Sequence, residues 1–286
     1  MTWLKTDLAG LTQKGQDDWT RISQDVANDP PTTLLISNEM LFRPFPRAKL
    51  QEVDGIFDKV AQRKRLVAYL SAPDAMFLSS MQELLKEPQI PTRTSRTYFK
   101  DTLVPIAEHW TGDISLELFE RQCMQESDIF TDFMAKHLPD VDVTQLDRHI
   151  GASNTSFSAE AMAVLYDLVM EHFPWYHDRR GFALEVMRFD RRLENPTKPK
   201  LRPHAKQAAI NWRGPDLFWL RDTHGITFPS IDYDAIDVGD TDSNVNYVSR
   251  IEDICEVNME RKEELQRRAM RRGRLPFIMR RWLAKH

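Results

Sequence analysis

Two stretches decide how this chain is read: Thr33-Leu34-Leu35-Ile36-Ser37-Asn38-Glu39 and Arg65-Leu66-Val67-Ala68-Tyr69-Leu70-Ser71. Each is a short apolar run that ends on polar residues, and the second continues into Ala72-Pro73-Asp74 and then Ser79-Ser80. Runs of nearly continuous Leu, Ile and Val with a helical stretch between them read as parallel strands covered on both faces. Ligands of such sheets bind outside the carboxyl ends of the strands. Glu39, Ser71, Ser79 and Ser80 are therefore the polar residues expected at one shared edge.

Working outward, residues 47–64 carry helical spacing through Leu50, Val53, Ile56, Phe57 and Val60, as a crossover between the two strands requires. Pro73 stands where a first-turn proline is tolerated, and residues 75–87 continue as helix. The pattern predicts a further helix at 103–110, a strand at 114–119 after Gly112-Asp113, and a helix at 128–137. Ser158 followed by Ala159-Glu160 is an N-cap with an acid in the first turn. Residues 1–30 read as polar helix and loop. The charged, proline-rich stretch from Asp190 to Pro203 marks the expected boundary between an α/β domain, 1–190, and a mainly helical C-terminal extension, 191–286. The fold class expected is α/β, a mostly parallel sheet with helices on both faces, plus that extension.

Composition agrees with a globular chain of one large core or two modest ones: 286 residues, 41% hydrophobic and 29% charged. Ten glycines are few for this length, which argues against a glycine-rich β architecture. No run approaches the roughly 20 apolar residues of a bilayer span, and the first residues lack a signal-peptide core. The two cysteines, Cys123 and Cys255, have neither disulfide-framework nor zinc spacing, so a reducing cytoplasm is the expected setting. Residues 259–286 hold ten Lys and Arg against three Glu, a net of +7, while the whole chain carries −4. The remainder is thus acidic, which argues against nucleic acid as a partner. The basic end, with Leu275, Ile278, Met279 and Trp282 at helical spacing, fits either a helix docked on the acidic body or contact with an anionic membrane surface.

From about residue 33 to 175 the chain resembles a bacterial sulfotransferase-like family associated with polysaccharide modification. The resemblance lies in an ordered series: a strand then Ser37-Asn38-Glu39; a strand then Ser71-Ala72-Pro73-Asp74 with Ser79 on the next helix; Trp110-Thr111-Gly112-Asp113 before a strand; Phe119-Glu120-Arg121; Asp128-Ile129-Phe130-Thr131-Asp132-Phe133; and Asn154-Thr155-Ser156-Phe157-Ser158. It implies sulfuryl transfer from 3′-phosphoadenylyl sulfate to a hydroxyl or amine, with a saccharide as the expected acceptor. Glu39 matches the place of the family's general base. Ser79 matches a serine that holds the 3′-phosphate from the start of a helix, with Ser71 and Ser80 beside it as further cofactor contacts.

Two positions depart from the family pattern. Ser71 stands where an arginine is expected, and a hydroxyl cannot replace the charge-assisted fork that arginine gives a phosphate. The family's N-terminal phosphate loop has no convincing counterpart, since Thr12-Gln13-Lys14-Gly15-Gln16-Asp17-Asp18 follows no strand and places two acids where phosphate oxygens would lie. Three readings follow: a transferase with Glu39 as base and Ser79 on the 3′-phosphate, a degenerate relative that binds or assembles without catalysis, or a transferase whose phosphate loop is encoded upstream of Met1. His109, His137, His149 and His172 lack metal-ligand spacing. Asp232, Asp234, Asp237, Asp240 and Asp242 do not fit a regular calcium loop and are expected to be solvated.

Overall fold

A computed structural model of the chain describes residues 13–37, 42–86, 95–146, 156–168, 179–240 and 250–272. In chain order these form α1 (Gln13–Asn28), α2 (Arg47–Asp58), β1 (Arg65–Leu70), α3 (Pro73–Leu84), α4 (Tyr98–His109), β2 (Asp113–Leu118) and α5 (Ile129–His137). The remainder is helical: α6 (Ala159–Tyr166), α7 (Arg179–Asp190), α8 (Pro203–Trp212), α9 (Gly214–His224), α10 (Ile251–Ile254) and α11 (Met259–Arg272). Backbone packing divides the chain into two compact units. One comprises Met1–Leu70, Ser95–Phe119 and Pro215–Thr227; the other comprises Ser71–Thr94, Glu120–Gly214 and Phe228–His286.

In the first unit β1 and β2 pair in parallel, with Arg65 opposite Asp113 and Leu70 opposite Leu118. The helical expectation for 47–64 holds to Asp58, where the chain turns so that Lys64 reaches back to α2. Its ammonium lies 2.6 Å from Asp54 and 2.5 Å from Asp58. Asp54 also accepts the Thr111 backbone N–H at 3.1 Å, which ties α2 to the approach into β2. Gly112 is required at that approach, because a Cβ there would lie 2.2 Å from the Lys64 carbonyl oxygen. The start of α4 is closed by Asp216, wholly buried, which accepts the backbone N–H groups of Phe99 at 2.6 Å and Lys100 at 2.9 Å.

The strand expected at 33–37 is not present. Leu34 and Leu35 are 38% and 41% exposed, and no ladder joins these residues to β1. A run of high β-propensity becomes a strand only through packing and pairing, and the preceding Asn28-Asp29-Pro30-Pro31 leads the chain out of α1 without either. The mostly parallel sheet is corrected accordingly: among the described residues the sheet has two strands, and the molecule is mixed α/β with helices predominating.

In the second unit Pro73 and Ser158 act as the sequence predicts, and the structure adds a cap at Asp128. Pro73 opens α3, the Asp128 carboxylate caps the Thr131 N–H at 2.8 Å, and the Ser158 hydroxyl caps the Ala161 N–H at 3.1 Å. All eight residues of α6 are buried, the charged Glu160 among them, so this helix faces protein on every side and forms the axis of the core. Around it pack Leu85, Phe157, Leu168, Val186, Ile251 and Leu265, each at most 1% exposed. Each such side chain contributes about 1.5–3 kcal/mol relative to an exposed position. The stretch after Asp190 is held within the same unit: Thr197 accepts the Ala159 N–H at 2.9 Å, and Leu201 bridges Cys255. Residues on both sides of the expected 190/191 boundary thus lie in one unit. Among the described residues no helix is long and apolar enough to cross a membrane.

Candidate functional site

The parallel register brings the carboxyl ends of β1 and β2 to one edge, where the Phe119 N–H extends the ladder by donating to the Leu70 carbonyl at 2.7 Å. Ser71 is the residue that follows β1, half-buried, and α3 begins two residues later. Ser79 and Ser80 are exposed on α3. Ser79 is the seventh residue of that helix, about 9 Å along its axis from Pro73 at 1.5 Å per residue. It is therefore beyond the first turn, where the unpaired N–H groups and the positive end of the dipole lie. The sequence expectation had set this serine at the helix start.

The first turn of α3 instead holds Asp74, with no side-chain hydrogen bond at the Ala72 cap. An oxygen of Asp74 lies 3.6 Å from the Lys206 ammonium, brought in by α8, and the other is buried without a hydrogen-bond partner. Lys206 also donates to the Ser230 carbonyl at 3.4 Å. The Ser230 hydroxyl donates to Glu120, whose second oxygen accepts from Gln122 at 2.9 Å. Asp74, Lys206, Ser230 and Glu120 thus form a continuous polar cluster in the second unit. The Lys206 ammonium faces the Asp74 carboxylate, and the Glu120 carboxylate joins through the Ser230 hydroxyl, so the cluster can hold an anion only where Lys206 exchanges Asp74 for the ligand. Nothing local in the sequence marks Lys206, because its partner Asp74 lies on a helix far earlier in the chain.

A second polar group in this unit is fully engaged. Arg261 donates through Nη1 to Glu160 at 2.9 Å, Asp190 at 2.7 Å and the Ser158 hydroxyl at 3.1 Å. Glu160 also accepts the backbone N–H of Asn258 at 3.0 Å and of Thr197 at 3.2 Å. Burial pushes the Glu160 carboxyl up, but these bonds outweigh it and hold the group below the ordinary glutamate range. The neighbouring Lys262 lies 2.5 Å from Asp167 and also pairs with Glu252. Burial opposes its charge, yet the two acids raise its pKa. With every charge paired and little surface exposed, this arrangement fastens α11 to α6, α7 and α10.

Other chemistries find less support. Burial raises the Cys255 thiol to about 11 and raises Cys123 as well, so neither is an activated nucleophile. Among the described residues no group of His, Cys, Asp and Glu is arranged to hold a metal ion. Asp232 and Asp237 accept backbone N–H groups of their own turns, those of Asp234 and Gly239, at 3.1 and 2.9 Å. Glu39, Asn154, Thr155 and the basic segment 273–286 lie outside the described residues. Ser156 is exposed. No protein-family model, curated protein or solved structure matches the chain.

Proposed function

We propose that the protein is of sulfotransferase type and moves a sulfuryl group from 3′-phosphoadenylyl sulfate to a hydroxyl or amine of a saccharide or related acceptor. The observation that supports this most is the parallel β1–β2 register, with Ser71-Ala72-Pro73 turning directly from the end of β1 into a helix that exposes Ser79 and Ser80. In this reading the nucleotide supplies the sulfuryl group. Glu39 takes the proton of the acceptor as the new S–O or S–N bond forms and the S–O bond to the 5′-phosphate breaks. Ser71, Ser79 and Ser80 are hydroxyl donors to the 3′-phosphate. Lys206 is the cation available in place of the arginine that Ser71 replaces. A cytoplasmic location and contact of the basic segment with an anionic membrane surface belong to the same reading.

The opposing features favour a second reading, a degenerate relative that binds or assembles without catalysis. Asp74 occupies the helix turn that would face an anion, and Lys206 is already engaged with it. Loss of a charge-assisted contact costs about 1.5–3 kcal/mol of binding. Titration calorimetry of the full chain with 3′-phosphoadenosine 5′-phosphate distinguishes the two. Saturable binding, weaker than low micromolar and lost in Lys206→Ala, supports the transferase reading. No heat at millimolar nucleotide leaves only the degenerate one.

A further inference from the structure

Between α7 and α8, in the second unit, residues 197–202 present a row of cations. Burial alternates along them: Thr197, Pro199 and Leu201 are half-buried or buried, while Lys198, Lys200 and Arg202 are exposed. A period of two is that of an extended chain. Pro199 and Pro203 favour extended backbone at the residues before them, and Arg202 has φ −64° and ψ 152°. The shielded side of the row is fastened to the core. Thr197 accepts the Ala159 N–H at 2.9 Å and donates its own to Glu160 at 3.2 Å, Leu201 bridges Cys255, and the Arg202 N–H donates to the Ile254 carbonyl at 2.7 Å. Successive cations therefore stand about 6–7 Å apart on a fixed backbone, at about 3.3 Å per residue. Among the described residues no carboxylate pairs with Lys198 or Lys200. Arg202 donates through Nε to the Glu252 carbonyl at 3.0 Å, which orients the guanidinium without neutralising it. The nearby exposed acids, Glu194 on the preceding turn and Glu256 beside Cys255, form no ion pair with the row.

We infer that this row docks an extended acidic peptide of a partner protein, one with Asp or Glu at alternate positions. Carboxylates on one face of such a peptide repeat at the same two-residue spacing as the cations, so three ion pairs form in register with no rearrangement of the row. Residues 194–204 expose no aromatic ring on which a base would stack, so a nucleic acid finds charge here and no second contact. They also expose no large apolar side chain to enter a lipid surface. The inference does not depend on the transferase reading, since a partner can dock whether or not the chain is catalytic.

The test is fluorescence anisotropy of the full chain, at low salt, with a labelled and end-blocked heptapeptide alternating Thr and Glu, against its isomer with the three Glu contiguous. The alternating peptide is expected to bind saturably and about fivefold more tightly than the isomer. The double variant Lys198→Gln, Lys200→Gln is expected to weaken it about tenfold, as loss of two exposed ion pairs near the upper range does. Both positions are exposed, and an unchanged melting temperature confirms that the variant is folded. Trigalacturonate and a thymidine tetranucleotide, each with the same three charges, are expected to displace the labelled peptide less well than its unlabelled form. Absence of saturable binding overturns the inference. So does equal affinity for the two peptides, unchanged affinity in the double variant, or displacement by either competitor as effective as that by the peptide.

Discussion

Arg261 and Glu160 meet at 2.9 Å with side chains 6% and 0% exposed, so the guanidinium and the carboxylate have exchanged water almost entirely for each other and for Asp190. Such a pair adds little net stability compared with an apolar contact, yet removing one member leaves a buried charge without compensation.

Arg261→Ala should therefore destabilise the fold by about 3–5 kcal/mol, because it strands Glu160 and Asp190 together. Urea unfolding followed by circular dichroism measures this. A loss below about 1 kcal/mol, within the range of an ordinary surface change, would show that water reaches the two acids.

Stability should also be lost at both ends of the pH scale. Burial acts against the charged form of Glu160 and of Asp54, but hydrogen bonds lower both pKa values in the fold. Their contribution is complete above the unfolded carboxylate range, about pH 4, and is lost as pH falls through the lower folded values. Lys262 and Lys64 behave in the opposite sense. Burial disfavours their charge, the paired acids raise their pKa values, and their contribution is lost as pH rises beyond about 10.4 and through the folded values. Melting temperature against pH should show a plateau between these limits, and Arg261→Ala should alter only the acid limb.

Two glycines should respond to alanine in opposite directions. Gly112→Ala forces a methyl against the Lys64 carbonyl and should cost about 1–3 kcal/mol or more. Gly55→Ala, within α2 and with no atom within 4 Å of the added Cβ, should stabilise by about 0.5–1 kcal/mol. Thermal melts of the two variants check the pair.

Ser79 is exposed, so Ser79→Ala should leave the melting temperature unchanged while weakening any binding of 3′-phosphoadenosine 5′-phosphate. Glu39→Gln should abolish transfer and leave nucleotide binding intact, as an isosteric change at a general base does. If Ser79→Ala binds the nucleotide as the parent does, the phosphate contact lies elsewhere.

The elements legible in the sequence were those fixed by local chemistry: the Ser158 cap, Pro73 at the first turn of α3, and the two runs that became β1 and β2. Residues 33–37 misled because Leu and Ile declare burial without stating what pairs with the backbone. The ion pairs were illegible for a different reason. Glu160 reads locally as a first-turn acid favouring its own helix dipole; its role as the partner of Arg261 exists only once α6, α7 and α11 converge. Lys206 beside Asp74 was hidden in the same way, although it changes the charge of the candidate site.

Arg261 and Lys262 are consecutive, so their side chains leave α11 about 100° apart around its axis, and each ends in a separate pair of acids, fully or largely shielded from water. The helix is therefore locked in roll as well as in position. For α11 to exchange into a second copy of the chain, both pairs must open together, with four carboxylates left briefly unmatched. This arrangement resists swapping of the C-terminal helix between molecules, even though most of the outward face of α11 is charged and readily soluble.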